Sequence, residues 1–177
     1  IGLDVEQPEG HMIIDIGGGT TEIAVIALSG IVTDQSLRVA GDDFTYDIIE
    51  HVKRQHNILI GERTAEQIKI HVGAAIQELD NPPEDFPVHG RDLLTGIPKQ
   101  VIVTYVEIAA ALDKSISKIE EGIMKALEST PPELASDIYQ KGLYLTGGGA
   151  LLRGLDKRIS LKTKLPVQVA EDPLRAV

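Results

Sequence analysis

Two glycine-rich segments carry the residues whose types and spacing could do chemistry. The first, MIIDIGGGTTEIAVIAL from Met12 to Leu28, places three glycines between two short apolar runs. A turn made of Gly17 to Gly19 has no Cβ, so its backbone can take positive φ and an anionic oxygen can approach bare N–H groups. Thr20 and Thr21 add hydroxyl donors, and Asp15 can orient the water shell of a divalent cation that accompanies a polyphosphate. The segment predicts a phosphate loop with an acid for the metal, and a glycine hairpin without a ligand is the alternative.

The second segment runs from Leu143 to Leu152 and reads LYLTGGGALL. It predicts a strand, a glycine turn and the start of a helix, a setting in which backbone N–H groups approach a nucleotide. It is not a dinucleotide fingerprint, because Leu152 stands where the third glycine of that motif would be. Nor is it a P-loop, since no Gly-Lys-Ser/Thr follows. Each glycine segment alone is a weak signal, and the two together are specific.

Two further groups of residues have a structural and a functional interpretation. Gly41 and Asp42 stand between a strand and a helix, where N–H groups can face a ligand, but plain helix capping explains them equally well. Glu66 and Lys69 lie three residues apart on a predicted helix, so they are neighbours on its surface. By spacing alone they are an exposed ion pair contributing about 0.5 kcal/mol or less.

The elements that position these residues follow from apolar periodicity. Strands at Met12–Ile16, Ile23–Leu28 and Ile31–Val39 predict an antiparallel meander. The helix after Asp42 carries Phe44, Ile48 and Val52 at steps of four. Strands at Val88 and Ile97–Thr104 are expected to flank a polar loop at Gly90–Asp92, and Pro166–Ala170 predicts the last strand.

Two of the predicted helices begin with capping boxes, at Thr64–Gln67 and at Thr104–Glu107. The first is expected to continue to Leu79, with Ile68, Val72, Ala75 and Ile76 on its apolar face. The second is the longest, and its apolar stripe is Ile108, Leu112, Ile116, Ile119, Ile123 and Leu127, with Lys114, Lys118, Glu120 and Glu121 opposite. A short helix is expected around Glu133–Ile138, before the second glycine segment.

Composition excludes several classes of function. The 177 residues include 17 basic and 27 acidic ones, a net charge of −10, which argues against a nucleic-acid or anionic-lipid surface. There is no cysteine and no apolar run of about 18 residues, and the N-terminus does not resemble a signal peptide. The five histidines show no metal-binding spacing. The first residue is not methionine, which suggests a piece of a longer protein.

The phrases DIGGGTTE, TAEQIK and LTGGGALL, in this order and spacing, resemble the actin-like ATPase superfamily. The phrases AGDDF, LIGERTAEQIK, GRDLLTGIPK, TPPELASDI and LTGGGALLRGLD are similar to the MreB family of bacterial actins over nearly the whole chain. The resemblance implies an α/β fold, a ribonuclease-H-like lobe of the actin type. Residues 1–45 and 98–177 would form the second large lobe, and residues 46–97 a small inserted subdomain.

The resemblance also implies roles for individual residues. Asp15 would bind Mg²⁺ through water, and Thr20 would lie near the water that attacks ATP. Glu66 and Lys69 would contact the ribose and adenine. The other implied contacts are those of Gly17, Gly18 and Gly19 with the β- and γ-phosphates, of Gly41 and Asp42 with the ribose and phosphates, and of Gly147, Gly148, Gly149 and Ala150 with the adenosine.

The function implied by the resemblance is that of a slow ATPase that binds ATP or ADP with Mg²⁺ and assembles with itself into filaments. Such a protein would lie in the cytoplasm at the inner face of the cell membrane, where it would determine rod shape with membrane-associated cell-shape and wall-synthesis proteins. The membrane-binding segment, the first phosphate loop and the catalytic glutamate would belong to an N-terminal half before Ile1. The alternatives are a chaperone-type or kinase-type ATPase lobe that does not polymerise, and an interaction module that binds no nucleotide.

Overall fold

A computed structural model describes residues 2–4, 6–28 and 30–175. The chain divides into two compact units. The first unit comprises Ile1–Gly41, Ser117–Leu151 and Leu155–Val177, and the second comprises Asp42–Ile116 and Leu152–Gly154. The expected inserted subdomain, residues 46–97, lies inside the second unit, and its existence as a separate subdomain stays a prediction. Within the described residues, no helix combines the length and the apolar character needed to cross a membrane.

The first unit is built on a five-stranded sheet in the order β3-β2-β1-β7-β8. Strands β1 (His11–Ile16), β2 (Thr21–Ala27) and β3 (Gly30–Leu37) form the predicted antiparallel meander. Strands β7 (Leu143–Thr146) and β8 (Val167–Val169) continue the sheet parallel to β1. The carboxyl ends of the parallel strands β1 and β7 therefore lie side by side, which is the edge where ligands bind in open α/β sheets.

The second unit contains helix α1 (Gly41–His56, from Asp42 onward), helix α2 (Glu62–Val72) and a three-stranded antiparallel sheet. The strands of this sheet are β4 (Ile58–Leu59), β5 (Phe86–Asp92) and β6 (Pro98–Val103). The apolar residues predicted for α1, namely Phe44, Ile48 and Val52, are all buried.

Helix α3 (Tyr105–Glu128) begins with the predicted capping box, and the residues from Ser117 onward belong to the first unit. The Glu107 N–H donates to Thr104 Oγ1 and the Thr104 N–H donates to Glu107 Oε2, both at 3.3 Å. The stripe is confirmed, since Ile108, Leu112, Ile116, Ile119 and Ile123 are fully buried and Leu127 is half-buried. Helices α4 (Pro132–Lys141) and α5 (Leu155–Thr163) follow.

Glu120 was expected on the polar face of α3, and that prediction is wrong. Its side chain is buried, and Arg158 Nε on α5 donates to its Oε1 at 2.7 Å. Arg158 also donates to the Ser117 hydroxyl at 3.1 Å. Periodicity places a residue on a helix face but does not reveal a charged partner on another helix, so the buried pair could not be predicted.

Three boundaries in the second unit differ from the prediction. Helix α2 begins at Glu62, after an extended Gly61 that makes no side-chain cap, so the box at Thr64 is wrong. The helix ends at Val72, because Gly73 is extended (ψ 132°) and leads into a bridge between Ala74 and Arg153. Gly90–Asp92 belongs to β5 instead of a loop, since Gly90 permits close pairing: a Cβ there would be 2.6 Å from Leu59 O.

Candidate functional site

The first glycine turn joins β1 to β2 and is closed by a hydrogen bond from the Gly17 N–H to Thr20 O at 3.0 Å. Gly18, Gly19 and Thr20 are exposed. Among the described glycines, positive φ occurs at Gly2, Gly96, Gly142, Gly147 and Gly154 and not in this turn. A Cβ on Gly19 would meet nothing within 4 Å. Neither a left-handed backbone nor crowding within the chain therefore requires glycine at position 19.

Asp15 lies at the end of β1 directly opposite Glu22 on β2. Burial raises the pKa of Asp15, and the negative charge of Glu22 raises it further. Like charges at facing positions of an antiparallel pair are destabilising, and a divalent cation bound through water would relieve that repulsion. The two carboxylates beside the glycine turn are therefore suited to hold, through water, a Mg²⁺ ion that accompanies a polyphosphate.

Of the two threonines expected to supply donors, only Thr20 faces solvent. Thr21 is fully buried, and its hydroxyl donates to Val39 O at 2.7 Å. The expectation that Thr21 offers a hydroxyl to a ligand is therefore wrong. The cause is the period of two along a strand: Thr21 is the first residue of β2 and points into the core with Ile23 and Val25.

The second glycine turn packs against the end of β1. Gly147 has φ +81°, and a Cβ there would overlap Asp15 Oδ1 and lie 2.8 Å from the carbonyl carbon of Ile16. A Cβ on Gly149 would be 2.7 Å from Ile16 Cβ. Both glycines are therefore required by packing inside the first unit. The expected helix start is a 3-10 helix at Gly148–Leu151, and α5 begins after it at Leu155.

A third glycine completes this part of the first unit. The Gly41 N–H donates to Gly17 O at 3.0 Å, which fixes Gly41 beside the first turn. Asp15, Gly17–Thr20, Gly41 and Gly147–Ala150 thus gather at the carboxyl ends of β1 and β7, and their contacts with a nucleotide stay predictions. Asp42 is exposed in the first turn of α1 and belongs to the second unit.

Glu66 and Lys69 form a three-membered cluster with Thr45 in the second unit. Lys69 Nζ donates to Glu66 Oε1 at 2.7 Å and to Thr45 Oγ1 at 3.1 Å, and Thr45 Oγ1 donates to Glu66 Oε1 at 2.6 Å. Burial would raise the pKa of Glu66, but the hydrogen bonds from Lys69 and Thr45 lower it. The Lys69 side chain is only 19% exposed, so the prediction of a fully exposed pair is wrong for the lysine. Thr45 was missed because it lies on another helix.

The histidines also depart from the prediction. His51 and His56 on α1 converge on Glu107 of α3, and these three residues are the one group among the described residues whose donor atoms could hold a metal ion. His51 and His56 are five residues apart, about 140° around an ideal helix, so their spacing does not place them on one face. His56 is the last residue of α1, where the helix ends, and the sequence carries no signal for their convergence.

Solved structures with this fold define the class of the protein. The crystal structure of MreB5 of Spiroplasma citri bound to ADP matches 98% of this chain with a TM-score of 0.94 and 41% sequence identity. The same protein has been solved bound to AMPPNP. A MamK double helical filament matches 93% of the chain with a TM-score of 0.75 and 25% identity. The fold is therefore that of the actin-like ATPases, and the predicted fold class is confirmed.

The MreB/Mbl protein family model matches residues 1–177, and the chain belongs to that family. It is 45% identical to the cell shape-determining protein Mbl of Bacillus subtilis (strain 168) and 48% identical to the cell shape-determining protein MreB of Escherichia coli (strain K12), in each case over 99% of the chain. The chain spans about half the length of these relatives, 52% and 50% respectively. The family predicted from the motifs is thereby confirmed.

Proposed function

We propose that this chain is part of a filament-forming bacterial actin that binds ATP with Mg²⁺, hydrolyses it slowly and determines cell shape. The observation that carries the proposal is the gathering of three glycine segments and Asp15 at the carboxyl ends of β1 and β7 in the first unit. Membership of the MreB/Mbl family supports it, as do the structures of MreB5 with ADP and with AMPPNP.

In this proposal the backbone N–H groups of Gly18 and Gly19 bind the β- and γ-phosphates, while the Gly17 N–H, which donates to Thr20 O, holds the turn in shape for them. The support is that Gly18 and Gly19 are exposed and that the space beside Gly19 is open, so packing inside the chain does not explain why residue 19 is glycine. Glycines leave N–H groups accessible to phosphate oxygens, and such hydrogen bonds to an anion are stronger than those between neutral groups.

Asp15 is proposed to hold Mg²⁺ through water molecules. When bound, Mg²⁺ neutralises charge on the β- and γ-phosphates and on the leaving group. The support is the facing pair of Asp15 and Glu22, whose repulsion a cation would relieve. Since Mg²⁺ keeps several of its waters, a carboxylate beside the phosphate turn can orient it without direct coordination.

Thr20 is proposed to position the water that attacks the γ-phosphorus in line with the departing ADP. Its hydroxyl is exposed at the end of the phosphate turn, whereas that of Thr21 is committed to Val39 O. A positioned hydroxyl orients the nucleophile and accepts or donates one hydrogen bond as the bond to the β,γ-bridging oxygen breaks.

The remaining contacts with ATP, to its adenine, ribose and phosphates, are proposed separately for the residues of each unit. In the first unit, Gly147–Ala150 are proposed to contact the adenosine, and Gly41 the phosphates and ribose. In the second, Asp42 is proposed to contact the phosphates and ribose, and Glu66 and Lys69 the ribose and adenine. The Glu66–Lys69 pair is suited to this role, because Thr45 holds the carboxylate and the ammonium in place before a ligand arrives.

Self-association is the proposed route from nucleotide binding to cell shape. The MamK filament shares this fold, and the relatives Mbl and MreB are cell shape-determining proteins. We place the filament in the cytoplasm at the inner face of the membrane, together with membrane-associated cell-shape and wall-synthesis proteins. The negative charge of this chain, −10, argues that any contact with anionic lipid is made by another part of the protein.

The test uses the protein at its natural full length and measures MgATP binding, phosphate release and sedimentation of filaments. Wild type is expected to bind MgATP, release phosphate slowly and pellet when MgATP is added. Thr20→Ala should retain affinity and slow hydrolysis about 5- to 150-fold, because a lost water-orienting hydroxyl raises the barrier by about 1–3 kcal/mol.

Thr33→Ala is the matched control for that variant. Thr33 faces Val25 in the β2–β3 pairing, four residues from the turn end of β2 and so about 13 Å along the strand. Its hydrolysis rate should equal that of wild type. Absence of MgATP binding by wild type would contradict the proposed function as a whole, and normal hydrolysis by Thr20→Ala would contradict the role of Thr20.

A further inference from the structure

Two histidines and a glutamate in the second unit aim their side-chain donor atoms at one point. His51 Nε2 lies 3.0 Å and His56 Nε2 lies 2.6 Å from the same oxygen, Glu107 Oε1. One donor atom from each residue falls within 4.8 Å of the other two. The cluster uses none of the residues assigned to ATP, and it joins the end of α1 to the first turn of α3.

The glutamate of this cluster is held in place by the capping box. Its second oxygen, Oε2, accepts the Thr104 N–H in the capping box, so Oε1 is left to the histidines. All three side chains are mostly buried, with exposed fractions of 15%, 22% and 24% for His51, His56 and Glu107.

We propose that His51, His56 and Glu107 form a binding site for one divalent transition-metal ion of the zinc class. Two imidazole nitrogens and one carboxylate oxygen are ligands that Zn²⁺ accepts, whereas Mg²⁺ prefers oxygen ligands alone. Metal–ligand distances of about 2.0–2.2 Å in a tetrahedral site place neighbouring donor atoms about 3.3 Å apart. The observed distances of 2.6 and 3.0 Å from the imidazole nitrogens to Glu107 Oε1 lie within about 0.7 Å of that spacing.

The site differs from the nucleotide-associated Mg²⁺ site in its ligands and in its consequence. Three protein ligands leave the fourth coordination position to water. The cluster is partly exposed, so the ion can reach it from solvent. A bound ion would cross-link α1 to α3 inside the second unit. Because an unfolded chain does not hold the three ligands together, the ion would raise the stability of the folded state.

The alternative is a metal-free cluster, in which both imidazoles donate an Nε2–H to one carboxylate oxygen. A metal titration separates the two cases. The protein at its natural full length, free of nucleotide, is titrated with Co²⁺ and with Zn²⁺, and Co²⁺ binding is followed by visible absorption. We expect one saturable equivalent of Co²⁺, displaced by Zn²⁺ and not by Mg²⁺.

Variants then assign the ligands. His51→Gln and His56→Gln should each weaken Zn²⁺ affinity at least about tenfold, since loss of even an outer partner of a metal ligand costs that much. His89→Gln is the matched control, because His89 is exposed and hydrogen-bonded to Gln100. It should bind Zn²⁺ like wild type. In case a variant is misfolded, side-chain NMR of wild type should show Zn²⁺ shifting the resonances of His51 and His56 and not that of His89.

Failure of wild type to bind Zn²⁺ at one saturable site would overturn the proposal. So would undiminished affinity in both His51→Gln and His56→Gln, or NMR shifts confined to other histidines. None of these outcomes depends on ATP binding, so the test of the metal site is independent of the test of the proposed function.

Discussion

Replacing Gly19 by alanine tests whether the first turn is shaped for a ligand or for the fold. The new Cβ would meet nothing within 4 Å, and the residue is not in a left-handed conformation. A glycine-to-alanine change at such a position stabilises a fold by about 0.4–1 kcal/mol through the unfolded state. For a chain of this size that corresponds to a melting temperature higher by about 1–4 °C.

The same methyl group should obstruct phosphate binding. If the γ-phosphate approaches the Gly19 backbone closely, a methyl group on residue 19 would force the phosphate or the turn to shift. Overpacking of this kind costs about 1–3 kcal/mol. The affinity for MgATP should therefore fall about 5- to 150-fold. The expected result for Gly19→Ala is a protein that is slightly more stable without nucleotide and binds nucleotide less tightly.

Gly149→Ala is the matched contrast, because its Cβ would lie 2.7 Å from Ile16 Cβ inside the first unit. It should lower stability by about 1–3 kcal/mol, or roughly 2–10 °C in melting temperature. Thermal unfolding without nucleotide and calorimetric titration with MgATP measure both effects in the full-length protein. If Gly19→Ala binds MgATP as wild type does, the reasoning that the open space beside Gly19 belongs to a phosphate is refuted.

Three further predictions concern charged residues. Asp15→Asn should remove the Mg²⁺ dependence of ATP binding and, without nucleotide, should raise the melting temperature at neutral pH. Because the pKa of Asp15 is raised in the folded state, its ionisation lowers the stability of the wild type as pH rises through that pKa. The higher melting temperature of the variant should therefore disappear in acid. Arg158→Ala should destabilise the protein by about 3 kcal/mol in denaturant unfolding, because it leaves Glu120 buried without its cation. Arg54→Ala is the control: it breaks the ion pair between an exposed arginine and Glu50 and should cost under about 0.5 kcal/mol. Lys69→Ala should weaken ATP binding at least about tenfold by calorimetry, and unchanged affinity would leave Lys69 as a structural ion pair.

The parts of the fold that sequence reasoning predicted are those where one local rule decides. The short apolar runs of β1 and β2, the stripe of α3 and the reciprocal box of Thr104 and Glu107 all follow from neighbours along the chain. These features required no knowledge of tertiary contacts.

The errors arose where a distant segment decides the outcome. Helix α2 ends early because Gly73 leads into a bridge between Ala74 and Arg153, which are distant in the chain. Gly90 lies in a strand because β4 packs close to it. The buried partner of Glu120 and the convergence of His51 and His56 on Glu107 likewise depend on helices that only the folded chain brings together.

The most direct test of the central claim is a crystal structure of the protein at its natural full length with Mg²⁺ and AMPPNP. We expect β- and γ-phosphate oxygens about 3 Å from the backbone nitrogens of Gly18 and Gly19. We also expect Mg²⁺ bridged to Asp15 by water. A nucleotide bound elsewhere, with these two amides directed only to solvent, would contradict the proposed function.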